Sequence, residues 1–181
     1  MQHNFTDQEL LTLLRTDGDQ AMSILFNAYY SYICKAIYKI LPDANLVEDI
    51  AQEVFYEFWR KRDQVKITVS LKAYLRRSAR NRTLNFIRDQ KIKFDEEEKI
   101  DLTTSTSSKA QEKVEAEEMQ QLIDQAIDSL PERCRIVFAL SRFEELSYQE
   151  IADQLGISIK TVENQISKAL KILRKRLKPF L

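Results

Sequence analysis

EIADQLGISIKTVENQISKALKILRKRL, residues 150–177, sets one of the chain's two glycines between a short amphipathic segment and a long, increasingly basic one. Ser147 and Glu150, three residues apart, have the spacing of a capping box and predict a helix over about 147–155. Ile151, Ala152 and Leu155 give it an inward stripe. Gly156 is the residue type that turns a chain through positive φ without steric cost. Ile157 then fills the corner, and Ser158 opens a second helix, about 158–178. Two helices leaving a tight glycine turn at a steep angle make a helix-turn-helix.

The second helix is expected to bury Val162, Ile166, Ala169, Leu170 and Leu173. That leaves Ser158, Lys160, Thr161, Asn164, Gln165, Ser167, Lys168 and Lys171 facing solvent. Asn and Gln pair with adenine edges, Thr offers a methyl and a hydroxyl, and Lys reaches guanine or phosphate. A solvated helix of a bundle carries a similar pattern. The coincidence of cap, glycine turn and basic bias favours duplex DNA.

Only two glycines and three prolines in 181 residues leave few turns, which points to an all-α chain of one ordinary or two small domains. The start, MQHNFTDQELL, has no basic n-region and no apolar run, and no stretch is apolar for long enough to span a bilayer, so no membrane insertion is expected. Cys34 and Cys134 stand far apart and His3 is the only histidine, which argues against a zinc site or a Cys/His pair. Both cysteines fall on apolar helix faces, as buried thiols of a reducing, cytoplasmic compartment do. No Gly-rich phosphate loop is present either, so neither a cofactor nor a catalytic centre is expected.

The net charge of zero conceals an asymmetry. Residues 66–94 hold nine Lys/Arg against one Asp, residues 95–118 nine Asp/Glu against three Lys, and residues 157–181 seven Lys/Arg against one Glu. Two basic segments are thus separated by an acidic one.

The N-terminal half reads as helices over about 6–16, 19–40, 43–61 and 71–91. The third carries Val47, Ile50, Ala51, Val54, Phe55, Phe58 and Trp59 on one side and Glu48, Asp49, Gln52, Glu53 and Glu57 on the other. The fourth has a core stripe of Leu71, Tyr74, Leu75, Ala79, Phe86 and Ile87. Lys72, Arg76, Arg77, Arg80, Arg82 and Arg88 occupy much of the remainder, and basic residues among aromatics suit unstacked single strands. Periodicity is lost over 92–112, where DEEEK and TTSTSS read as a flexible acidic linker. It returns over about 113–129 and 131–142, the latter opened by Pro131.

FNAYYSYICKAIYKI, VEDIAQEVFYEFW and LKAYLRRSARNRTLNFIRDQK resemble region 2 of the sigma-70-type transcription initiation factors. AIDSLPERCRIVFALSRFEELSYQEIADQLGISIKTVENQISKALKILRKRL resembles their region 4. The shortness of the chain resembles the extracytoplasmic-function (ECF) group. The implied layout is region 2 over 1–92, a linker over 93–112 and region 4 over 113–181. The resemblance implies a non-enzymatic factor that binds core RNA polymerase and directs initiation at promoters with −35 and −10 elements.

Asp49, Gln52 and Glu53 would meet the clamp helices of the polymerase β′ subunit, and region 4 the β flap. Lys72, Arg76, Arg77, Arg80, Asn81 and Arg82 would hold the opened −10 strand. The face from Ser158 to Lys171 would read the −35 element. An anti-sigma factor is the further implied partner, and SIKTVENQ resembles factors that answer to a membrane-bound one. The recognition helix departs from the Arg-rich form of many relatives, using Asn, Gln, Ser and Lys. The alternative is a stand-alone helix-turn-helix regulator, which needs neither the acidic face nor the second basic helix.

Overall fold

The computed structural model describes residues 5–65, 67, 70–90 and 116–180; His3 and the segment read as an acidic linker lie outside them. The described residues form eight α-helices, with no strand among them, in two compact units, Met1–Asp89 and Gln90–Leu181.

The first unit holds α1 (Asp7–Thr16), α2 (Gly18–Tyr38), α3 (Ala44–Arg60) and α4 (Leu71–Asp89). α1 starts at a reciprocal capping box: Glu9 N–H donates to Thr6 Oγ1 at 3.3 Å and Thr6 N–H to Glu9 Oε2 at 2.7 Å. Asp17 ends α1 and caps α2, accepting from Gln20 N–H at 3.1 Å. Asp43 caps α3 through bonds from Asn45 N–H, 3.0 Å, and Leu46 N–H, 3.2 Å. The helix expected to start at about 19 starts at Gly18, directly after its Asp17 cap, and that glycine lies under Trp59 of α3. A Cβ there would meet the indole Cη2 at 2.7 Å, so only glycine fits without moving the ring.

α2, α3 and α4 pack on one another around Leu25, Ile33, Ile37, Val47, Ile50, Phe58, Leu71, Leu75 and Ile87, all buried. Each fully buried side chain of this size contributes about 1.5–3 kcal/mol. Of the stripe expected for α4, Tyr74 and Phe86 are only half-buried. Thr83 and Leu84 are buried instead, and the Thr83 hydroxyl is satisfied by the Ala79 carbonyl at 2.9 Å.

The second unit holds α5 (Ala116–Asp128), α6 (Glu132–Arg142), α7 (Tyr148–Leu155), α8 (Ile159–Leu177) and a terminal 3-10 turn, Lys178–Phe180. Pro131 stands just before α6 rather than inside it. Arg135 donates back to the carbonyls of Asp128, 3.1 Å, and Leu130, 3.0 Å, closing the α5–α6 corner. Ile136, Val137, Leu140, Ile151 and Val162 are fully buried at the centre, and α5 adds Ala126 and Ile127, with Leu130 of the α5–α6 connection, beside Ala169, Ile172 and Leu173.

Two expectations for the last helix are corrected. Leu170 is not buried but 48% exposed, and Ile172 takes its place in the core. Gln165 does not face solvent: it is 5% exposed and accepts a bond from the Cys134 thiol at 3.1 Å. The cause is helical phase. The inward stripe is 162, 165, 166, 169, 172 and 173, and position 170 stands about 100° round from 169. Cys134 is buried as expected; Cys34, expected buried too, is half-buried, and both are free thiols.

Candidate nucleic-acid and partner interfaces

In the helix-turn-helix, Ser147 N–H donates to Glu150 Oε2 at 2.9 Å and Glu150 N–H to Ser147 Oγ at 3.2 Å, which starts α7. Gly156 ends it with φ 68° and ψ 35°, the left-handed conformation that favours glycine. Ser158 caps α8, accepting from Thr161 N–H at 3.0 Å, and its hydroxyl lies 2.8 Å from that of Thr161. Two of the expected DNA-facing groups are therefore engaged in opening the helix, and Thr161 is half-buried. Lys160, Asn164, Ser167 and Lys171 are exposed and Lys168 half-buried. Gln165 is removed from this set by its burial. Glu163, the one acid on the face, pairs with Lys160 at 3.1 Å. Leu170, exposed beside Ser167 and Lys171, was not foreseen there.

α4 presents the second basic surface. Lys72 lies over the Tyr32 ring, 4.6 Å from its centroid, and Arg76 donates to the Tyr32 hydroxyl at 3.2 Å. Tyr32 of α2 thus holds two cations that sequence reasoning assigned without it. Arg77, Asn81 and Arg82 are exposed, and Arg80 is half-buried with its Nε lacking a hydrogen-bond partner among the described residues.

On α3, Asp49, Gln52 and Glu53 share the solvent face with Tyr56, which is 64% exposed. Tyr56 stands at i+3 and i+4 from Glu53 and Gln52, a spacing that could have found it. Glu53 is bonded to Arg82 across the α3–α4 cleft, and Glu57 to Arg60 at 2.9 Å and Lys61 at 3.1 Å. The bond from Arg82 holds the Glu53 carboxyl below the usual carboxylate range and raises the guanidinium, outweighing partial desolvation in each case. The cleft has a volume of about 230 Å³. Asn81, Asn85, Ser78 and Arg82 supply its polar lining on the α4 side, Glu53 and Glu57 on the α3 side. Phe58 and Tyr74, ring centroids 5.8 Å apart, supply its aromatic lining.

A four-helix unit with a basic helix beside an acidic one, and a second unit built on a helix-turn-helix, together define a two-module DNA-binding protein. The comparisons with known proteins narrow that class. The sigma-70 region 2 model matches residues 25–92, and the sigma-70 region 4 model matches residues 120–173. The chain is 30% identical to the ECF RNA polymerase sigma factor SigW of Bacillus subtilis, over 89% of this chain and 91% of that one. It is 24% identical to the ECF RNA polymerase sigma-E factor of Escherichia coli over its full length and 99% of the relative. Among solved structures it is similar to CnrH in complex with the cytosolic domain of CnrY, at 20% identity, 95% and 97% coverage and a TM-score of 0.48. It is also similar to the sigma factor RpoE of Bartonella quintana in complex with the anti-sigma factor NepR, at 19% identity, 86% and 96% coverage and a TM-score of 0.47. The chain belongs to the ECF group of the sigma-70 family and is an RNA polymerase sigma factor. The stand-alone regulator reading is not favoured. No helix among the described residues is long and apolar enough to cross a membrane.

Proposed function

We propose that this chain divides promoter initiation among three surfaces. Asp49, Gln52 and Glu53 on α3 bind the clamp helices of the β′ subunit of core RNA polymerase. Lys72, Arg76, Arg77, Arg80, Asn81 and Arg82 on α4 bind the opened −10 strand. Lys160, Thr161, Asn164, Ser167, Lys168 and Lys171 on α8 meet the −35 element, and region 4 also meets the β flap. The domain bounds are those of regions 2 and 4, 1–92 and 113–181, with 93–112 as the tether between them. The chain works in the cytoplasm without catalysis, and an anti-sigma factor is the partner that keeps it from polymerase.

The observation that carries this reading is the exposed acidic stripe of α3 one helix away from basic α4, in a single compact unit. An acidic face repels phosphate, so it has no use on a protein that only binds DNA. Basic α4 supplies phosphate contacts, which position a strand, while Asn81 offers base-edge contacts and half-buried Tyr74 the accessible aromatic edge of the cleft. Affinity of labelled core polymerase for Asp49→Lys and Gln52→Ala variants tests it. Loss of tenfold or more in affinity with an unchanged denaturation midpoint is the expected result. Unchanged affinity in both variants overturns the polymerase assignment.

A further inference from the structure

Asp7 lies in the first turn of α1, outside every surface assigned above. Its Oδ2 accepts the backbone N–H of Leu71 at 2.8 Å, from 64 positions away in sequence. Leu71 is the first residue of α4, and the adjacent Ser70 hydroxyl accepts the N–H of Ala73 at 3.1 Å. The opening N–H groups of a helix have no partner within it and carry the positive end of its dipole. Here a serine satisfies one of them locally and a carboxylate from another helix satisfies a second. The second bond is different in kind. It ties the start of α4, and the end of the connection that leads into it, to α1. Lys72 and Arg76 project from that same turn and the next.

We propose that Asp7 is a positioning residue for promoter opening, fixing the N-terminal turn of α4 so that its cations meet the separating −10 strand in register. The proposal rests on the assignment of α4 to the −10 strand. An anionic acceptor bonds a helix N-terminus more strongly than a neutral one, and a bond inside one rigid unit costs no ordering when DNA arrives. Asp7 touches no DNA in this scheme; it acts through Leu71.

The test uses holoenzyme assembled from cognate core polymerase and the full chain. The probe is a duplex promoter fragment that wild-type holoenzyme selects from a randomised library, with 2-aminopurine in its −10 element to report strand opening. Asp7→Ala is expected to slow opening about tenfold, the scale of one hydrogen bond to a charged group, without changing core affinity. Asp7→Asn keeps an acceptor and is expected to stay within about threefold of wild type. Thr6→Ala removes the α1 capping box without touching α4, and is expected to open DNA at the wild-type rate. Equal slowing by Asp7→Ala and Thr6→Ala would reduce Asp7 to a stabiliser of α1 and overturn the proposal. Arg77→Ala separates the two layers. If it slows opening while Asp7→Ala does not, Asp7 has no positioning role. If it leaves opening unchanged, the assignment of α4 fails and the proposal fails with it.

Discussion

Glu53 of α3 and Arg82 of α4 form an ion pair, joining the acidic face assigned to polymerase to the basic face assigned to DNA. Their side chains are 49% and 46% exposed, so solvent screens the pair and its contribution is about 0.2–1 kcal/mol. The Glu53 carboxyl titrates below its ordinary value because Arg82 bonds it. A depressed carboxylate stabilises the fold above its unfolded pKa, about 4.3 for Glu, and loses that contribution as pH falls through the folded value. A double-mutant cycle of Glu53→Gln and Arg82→Gln, read by urea denaturation, should therefore show this coupling at pH 7 and progressively less as pH falls below the ordinary carboxylate range. Coupling that persists in acid would contradict the ion-pair account.

The same pair predicts reciprocal effects on binding. In Glu53→Gln, Arg82 keeps only a neutral acceptor in place of its charged partner and becomes more available to phosphate. The polymerase-free chain should bind a −10 single strand up to about fivefold tighter, while core polymerase binds it more weakly. Glu48→Gln on the same helix is the control for general charge loss. An equal gain in that variant would show that the Arg82 contact is not the cause.

Asn164 and Gln165 are neighbours in sequence with opposite fates. Asn164 is exposed, so Asn164→Ala should leave the denaturation midpoint unchanged and cost about 1–3 kcal/mol in −35 affinity if it pairs with a base. Gln165→Ala should instead lower stability by about 1–3 kcal/mol, since it empties a core position and leaves the Cys134 thiol without that acceptor. Calorimetry beside duplex binding distinguishes the two.

Lys171 lies on the exposed face of α8. Lys171→Ala should weaken binding to all duplexes alike and reduce the slope of log affinity against log salt by about 1. A change confined to one sequence would make Lys171 a base-reading residue.

The two glycines should fail for different reasons. Gly18→Ala drives a methyl into Trp59 at 2.7 Å and should cost about 1–3 kcal/mol by overpacking. Gly156→Ala meets nothing within 4 Å, so its cost of about 1–2 kcal/mol is that of a left-handed backbone alone. Asn at position 156 should recover part of the second loss and Asn at 18 none of the first.

Local signals carried far in this chain. The Ser147–Glu150 capping box, the Gly156 turn and the apolar stripe of α3 were legible because each is written within a few neighbouring residues. What escaped was long-range or a matter of phase. Leu170 reads as core by type, but the stripe is set by which face meets α6, and Ile172 holds that place. Gln165 reads as a base contact until Cys134, on another helix, is seen bonded to it. The bond from Leu71 to Asp7, the cations on Tyr32 and the Glu53–Arg82 pair all join different helices, and no spacing in the sequence announces them. Gly18 is a similar case: only the position of Trp59 explains it.

The most direct test of the account is transcription in vitro by purified cognate core polymerase over a library of promoter fragments, with and without this chain. Start sites that depend on the chain and share two upstream elements are the predicted result, and Asp49→Lys should abolish them. Polymerase that neither binds the chain nor starts anew in its presence, while the chain still binds duplex DNA, would contradict it.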